Sequence, residues 1–172
     1  MDTEFTTLYC KYKNPIFSYV FYLCSDRTAA EEICQEVFLK VYLNISKFEG
    51  RSSFKTWIYK IARNTCYDFI RNPNNITGSG TEIIDEGIKN PDPNPEECII
   101  IKEKNELIKK TLKALSCKHR NYIILRDIQG FSYKEISEIT GEKLNSVKTG
   151  IYRARRGFIK IFTEMEGREV GL

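Results

Sequence analysis

Six cysteines, at positions 10, 24, 34, 66, 98 and 117, and one histidine, His119, are the side chains here best suited to hold a metal or attack a substrate. Their spacing suits neither task. No two cysteines form a C-x-x-C pair, and a structural zinc site needs four donors converging about 2.0–2.3 Å from one ion. Cys117 and His119 are near neighbours with no second pair to complete a set. One histidine allows no Ser/His/Asp array, and a Cys/His nucleophile would have to be built around His119, in a basic stretch without a nearby acid. The glycines are scattered, with neither a G-x-x-x-x-G-K-S/T phosphate loop nor a G-x-G-x-x-G turn. Carboxylates clustered for metal-assisted phosphoryl transfer are also missing. The expectation is a protein that is not an enzyme, with no metal and no cofactor. Cys24 and Cys34 read as small apolar residues on helices, and no cysteine pair is close enough in sequence to suggest a redox switch.

What remains is charge and its placement. The 172 residues carry 27 Lys+Arg against 23 Asp+Glu, a net charge of +4, and 41% are hydrophobic, enough to bury a core. Residues 1–71 hold ten basic and eight acidic side chains. Residues 72–97 hold six acids (Glu82, Asp85, Glu86, Asp92, Glu96, Glu97) against Lys89 alone, with Pro73, Pro91, Pro93, Pro95 and three glycines. That composition disfavours helix and packs no core, so it reads as an acidic linker. Residues 98–161 then carry fifteen basic side chains and six acids, and 143–160 contain six basic residues and no acid. The modest total therefore hides a basic C-terminal module, 98–165, followed by a tail at 166–172. No basic start leads into an apolar run at the N-terminus, and no apolar stretch approaches the ~20 residues of a membrane span. The chain reads as cytoplasmic, without direct membrane insertion.

Both modules read as helical, which makes the fold class all-α: two small domains joined by a flexible acidic linker. Leu8, Tyr12, Ile16, Tyr19 and Leu23 form one stripe. Asp26 or Thr28 can cap a second helix, with Ile33, Val37 and Val41 inward and Phe38 and Tyr42 widening the stripe. A break at 44–53 precedes a third helix starting near Ser53, with Phe54, Trp57, Ile58, Ile61 and Thr65 inward and Lys60, Arg63, Asn64, Tyr67 and Arg71 opposite. That outer stripe suits either a solvated helix face or a nucleic-acid track, in which cations meet phosphate while Tyr67 and Phe48 stack on bases.

The C-terminal module is more specific. Ser132 and Glu135 fit a capping box, Ile136 and Ile139 follow, and Gly141 supplies a left-handed turn. Asn145 or Ser146 can then cap a longer helix with Val147, Ile151, Ala154, Phe158 and Ile161 on one side and Lys148, Thr149, Tyr152, Arg153 and Arg156 on the other. This is the pattern of a helix-turn-helix whose second helix enters a major groove, with Arg155, Arg156 and Lys160 placed for phosphate.

Taken together, AAEEICQEVFLKVYLNISKFEGRSSFKTWIYKIARNTCYDFIR (29–71) and LSCKHRNYIILRDIQGFSYKEISEITGEKLNSVKTGIYRARRGF (115–158) resemble the sigma-70 family of bacterial transcription initiation factors, in particular its extracytoplasmic-function group. The resemblance implies a region 2-like domain at 1–71 that binds core RNA polymerase and the −10 promoter element. It implies a region 4-like domain at 98–165 for the −35 element, and a linker along the polymerase's RNA path. Residues matching the polymerase-clamp helix are Glu32, Gln35, Glu36, Leu39 and Lys40. The −10 surface maps onto Lys47, Phe48, Glu49, Gly50, Arg51, Ser52, Arg63, Asn64, Tyr67 and Asp68, and the −35 surface onto Arg126, Ser146, Lys148, Thr149, Tyr152, Arg153 and Arg156. Promoter melting needs an extruded base held in a pocket, which Phe48 and its loop are placed to form. Implied partners are core RNA polymerase, promoter DNA and an anti-sigma factor, often membrane-anchored. Three positions depart from the family pattern: Ser116 stands where proline is usual, Asn145-Ser146 replaces Gly-Thr, and Thr149-Gly150 replaces Ser-Arg. Gly150 lacks a phosphate-binding arm and costs about 1 kcal/mol of helix propensity relative to Ala. A stand-alone helix-turn-helix regulator acting without polymerase is the alternative.

Overall fold

The computed structural model describes residues 2–72 and 95–169, with side chains described over 3–72 and 104–167. Among the described residues all regular structure is helical. It comprises α1 (Asp2–Cys24), α2 (Arg27–Asn44), a 3-10 turn (Ile45–Lys47), α3 (Phe54–Arg71), α4 (Pro95–Ala114), α5 (Cys117–Ile123), a π turn (Ile124–Ile128), α6 (Tyr133–Thr140) and α7 (Leu144–Glu169). The acidic linker expected over 72–97 lies, apart from its two ends, outside the described residues. Its C-terminal end differs from expectation: α4 begins at Pro95, three residues before 98. Proline suits the first helical turn, where its missing N–H has no intrahelical partner anyway. Similarly, α7 runs on to Glu169, past the boundary expected at 165.

In the N-terminal half, α1 buries Tyr12, Ile16, Tyr19 and Leu23 as its periodicity predicts, and the helix runs on through Pro15. Asp26 caps α2 by accepting a 2.8 Å hydrogen bond from the Ala29 amide, and Ser53 caps α3 by accepting one of 3.0 Å from Thr56. Each such cap contributes about 1 kcal/mol. Along α3 burial spreads beyond the expected stripe, because Tyr59, Ala62 and Cys66 are as buried as Ile58 and Thr65. The cause is packing on two sides: α1 and α2 cover one, and α6 of the C-terminal half covers the other.

In the C-terminal half, Ser116 replaces the expected proline without loosening the turn. Its φ of −57° is one proline would adopt, and its Oγ accepts from the His119 amide at 3.4 Å. The capping box at Ser132–Glu135 forms in full, and Gly141 closes α6 at φ 73°. The start of α7 corrects the expectation that Asn145 or Ser146 caps it. The helix begins at Leu144, with the Val147 amide already bonded to the Lys143 carbonyl at 3.0 Å, so both residues sit inside its first turn. Gly150 is not simply a missing arm. A Cβ there would lie 2.3 Å from Cε2 of Tyr122, so glycine lets the buried Tyr122 ring of α5 lie flush against α7.

The two halves share a continuous core. Tyr19 donates to Asn121 Oδ1 at 2.7 Å, and Tyr59 donates to Gln129 Oε1 at 2.6 Å while its ring meets Phe131 edge-on at 4.7 Å. Arg120 ties two helix ends together. Its guanidinium donates to the Leu112, Lys113 and Leu115 carbonyls at the end of α4, and to the Leu23 carbonyl and Ser25 Oγ at the end of α1. A cation at two helix C-termini satisfies carbonyls that have no intrahelical donor.

Candidate nucleic-acid interface

The loop after α2 and the first turns of α3 line an open cavity of about 380 Å³, bordered by Lys47, Phe48, Glu49, Arg51, Ser52, Thr56, Trp57 and Lys60, with Glu138 of α6. Gly50, at φ 69°, turns the loop back over it. Phe48 is half-buried against Phe54 (5.7 Å) and Trp57 (5.1 Å), which makes it a wall of the cavity. Arg51 pairs with Glu49 at 2.5 Å on the exposed rim. An aromatic wall with cations at the mouth suits a planar ring on a phosphate chain: the ring stacks and the phosphates meet Lys47, Arg51 and Lys60.

Further along α3 the structure brings Arg63 and Tyr67 together, the guanidinium lying 4.4 Å from the ring centroid, with Arg63 Nη1 donating to Asn64 Oδ1 at 3.1 Å. Burial pushes the Tyr67 phenol up to about 12, so it stays a neutral donor at physiological pH. Asn64 and Asp68 are exposed, whereas Arg63 and Tyr67 are partly covered by the C-terminal half. On the clamp-like face of α2, Glu32, Gln35, Glu36 and Leu39 are exposed, Leu39 by 57%. Lys40 is half-buried and tied to Glu36 (2.6 Å) and Thr65 Oγ1 (3.1 Å).

On α7, Ser146, Lys148, Thr149, Tyr152, Arg153 and Arg156 all lie on open surface, with the Arg156 guanidinium 5.8 Å from the Tyr152 ring. Arg126 stands apart from them. It is half-buried, donates to the Phe131 carbonyl at 2.8 Å and lies 4.7 Å from the Tyr133 ring, so it braces the approach to α6. Arg155, read from sequence as a phosphate contact, instead forms a two-point ion pair with Asp127, its Nε 3.1 Å from Oδ2. Sequence reasoning missed Glu138, Lys55 and Gln129, whose positions depend on how the halves meet. The one available signal was the three-residue spacing of Glu135 and Glu138, which puts two acids near one another on α6 in an otherwise basic module.

Two of the cysteines, on α1 and α2, sit in surroundings that disfavour the thiolate. Burial pushes Cys24 up to about 11 and Cys34 up to about 12, the reverse of a reactive thiolate site. Among the described residues no group of three or more His, Cys, Asp or Glu is placed to hold a metal ion, and no helix is long and apolar enough to cross a membrane.

Two family descriptions match the chain, Sigma-70 region 2 over residues 8–75 and Sigma-70, region 4 over residues 105–156. The chain is 32% identical to the RNA polymerase sigma factor YlaC of Bacillus subtilis over 164 residues, 94% of each chain. It is 31% identical to the ECF RNA polymerase sigma factor SigX of the same organism, over 89% of this chain and 80% of that one. Its fold resembles the sigma factor RpoE solved with the anti-sigma factor NepR from Bartonella quintana, with a TM-score of 0.74 at 23% identity, covering 93% of this chain and 97% of that one. It also resembles CnrH solved with the cytosolic domain of CnrY, with a TM-score of 0.69 at 17% identity, covering 95% and 90%. Two regions matched in order, and whole-length relatives above 30% identity, establish that the chain belongs to the sigma-70 family of RNA polymerase sigma factors, in its extracytoplasmic-function group.

Proposed function

We propose that this chain is a promoter-specificity factor that binds core RNA polymerase and directs initiation by melting the −10 element and holding the −35 element. The observation carrying this reading is the pairing of two distinct surfaces: an open aromatic cavity with a cationic mouth, and a capped helix-turn-helix whose second helix carries no acid before Glu164. The first suits an extruded single-stranded base, whose unstacking costs a few kcal/mol that the cavity's stacking offsets. The second suits duplex DNA, with Lys148, Thr149, Tyr152 and Arg153 toward base edges and Arg156 toward phosphate. The exposed face of α2, from Glu32 to Leu39, is the polymerase-binding surface. No bond is made or broken by the chain itself. It works by binding, in the cytoplasm where polymerase and chromosome meet. An anti-sigma protein is the proposed regulatory partner, in keeping with the two structural neighbours solved as complexes.

The test is selection of bacterial genomic duplex fragments by the purified chain, with and without core polymerase. Recovery of specific fragments only in polymerase's presence supports a sigma factor. Equal recovery without it supports a stand-alone regulator.

A further inference from the structure

Asn145 is a good capping residue, yet the structure gives it no cap to make. The Val147 amide bonds to the Lys143 carbonyl at 3.0 Å, so α7 has already begun at Leu144 and Asn145 stands in its first turn. The residue is exposed. Its backbone carbonyl accepts from Thr149 Oγ1 at 3.0 Å, and its side-chain amide bonds to nothing among the described residues. At about 100° of turn per residue, Asn145, Thr149, Tyr152 and Arg156 fall within about 60° of one another. The buried Val147, Ile151 and Ala154 take the opposite side. Asn145 therefore heads the centre line of the outward face, whereas Ser146 falls about 100° round from it. The neighbouring acid, Glu142, is engaged elsewhere by its 2.8 Å pair with Lys118.

We propose that Asn145 is a specificity-determining residue of the −35 surface, its carboxamide reading the adenine of an A·T pair in the major groove. This rests on the promoter-factor reading above and adds a residue to the surface drawn there. The chemistry selects the base. In the major groove adenine presents an acceptor, N7, beside a donor, the N6 amino group. Its partner must supply one donor and one acceptor side by side, which a carboxamide does. Lys148 cannot, because an ammonium only donates, and Thr149 has spent its single proton on the Asn145 carbonyl. Position selects the residue, since the leading turns of a helix lying in the groove are the ones that reach base edges. Phosphate is the lesser target, because an uncharged amide adds little to the attraction that the exposed Lys143 and Lys148 beside it supply.

The test uses the full chain with core polymerase, selecting and sequencing bacterial genomic duplex fragments for wild type, Asn145→Ala and Asn145→Arg. Wild type should select an upstream motif containing one A·T pair that Asn145→Ala relaxes, with the other positions held. A duplex with that pair changed to G·C should bind the wild-type holoenzyme at least about five-fold more weakly and the Asn145→Ala holoenzyme equally well. Asn145→Arg, whose fork matches guanine O6 and N7, should move the preference there to G·C. Unchanged preference in Asn145→Ala, an affinity loss even across fragments, a loosening of several positions or a relaxed G·C pair would overturn the assignment, as would Asn145→Arg keeping the A·T preference. The reading beneath it is judged apart. A motif recovered equally well without polymerase would overturn the promoter-factor reading, and the same single-position comparison on that motif would still decide for or against Asn145. No motif from wild type with or without polymerase would overturn both.

Discussion

Replacing Gly150 with alanine should destabilise the protein, although the same change in most helix interiors stabilises it. Gly150 lies well inside α7, where alanine ordinarily gains about 1 kcal/mol through helix propensity. Here the new Cβ would meet Tyr122 Cε2 at 2.3 Å, Cζ at 2.7 Å and the hydroxyl oxygen at 3.0 Å, against the 3.5–4.0 Å (roughly) at which carbon atoms rest. The ring must therefore move by more than about 1 Å. Tyr122 is only 1% exposed, so movement means repacking α5 against α7. Overpacking of this kind costs about 1–3 kcal/mol, and more where the neighbour is rigid. Less the propensity gain, the net expectation is a loss of up to about 2 kcal/mol, a fall of up to about 8 °C in thermal midpoint when the chain unfolds as one unit. Thermal melts followed by helical circular dichroism read this directly. Tyr122→Leu shortens the offending side chain, so Gly150→Ala in that background should cost less, with a coupling of about 1 kcal/mol or more. A raised midpoint for Gly150→Ala in the wild-type background would refute the reasoning, and the glycine would then be a plain lost phosphate arm.

Four further outcomes are expected. Lys148→Ala with Arg153→Ala should cost about 1–3 kcal/mol per base contact at the −35 element and relax sequence preference there, with core polymerase affinity unchanged in a titration. Arg156→Ala should weaken duplex binding evenly across sequences and lower the slope of log affinity against log salt by about 1. Gln35→Ala with Leu39→Ala should weaken polymerase binding while leaving the thermal midpoint near wild type, because both side chains are exposed. The Glu135 carboxyl is held below its ordinary value of about 4.3, so its contribution to folding is fully present above that pH and is lost as pH falls through the lowered folded value. The midpoint difference between wild type and Glu135→Ala should accordingly shrink in acid.

What the sequence disclosed was what is decided within a few residues. Asp26, Ser53 and the Ser132–Glu135 box were readable because a cap acts on an amide three residues away, and Gly141 because a left-handed turn excludes most side chains. The α1 stripe was readable because one face of that helix is buried from Tyr12 to Leu23, with Leu8 half-buried ahead of it. Asn145 and Ser146 misled because both are good cap residues, yet the helix starts ahead of them at Leu144. The π turn at 124–128 has no local signature, since its Ile124 and Leu125 are apolar residues that any buried helix would accept. The seam was invisible because its bonds join residues far apart in the chain, Tyr19 to Asn121 and Tyr59 to Gln129, and no periodicity encodes which pair meets. For the same reason α3 was expected to bury one stripe and buries two faces. The candidate DNA surface on α7 was legible because its acid-free spacing stands in a single helix. The bonds of Arg126 and Arg155 were not legible, because the Phe131 carbonyl and Asp127 that engage them come from other turns.

The most direct test of the central claim is reconstituted transcription: purified chain and core RNA polymerase on a fragmented bacterial genomic library, with sequencing of RNA 5′ ends. The account predicts new starts that require the chain and share two upstream motifs at a fixed spacing, one lost when Lys148 and Arg153 are replaced by alanine. No new starts, together with tight sequence-specific duplex binding in the absence of polymerase, would contradict it.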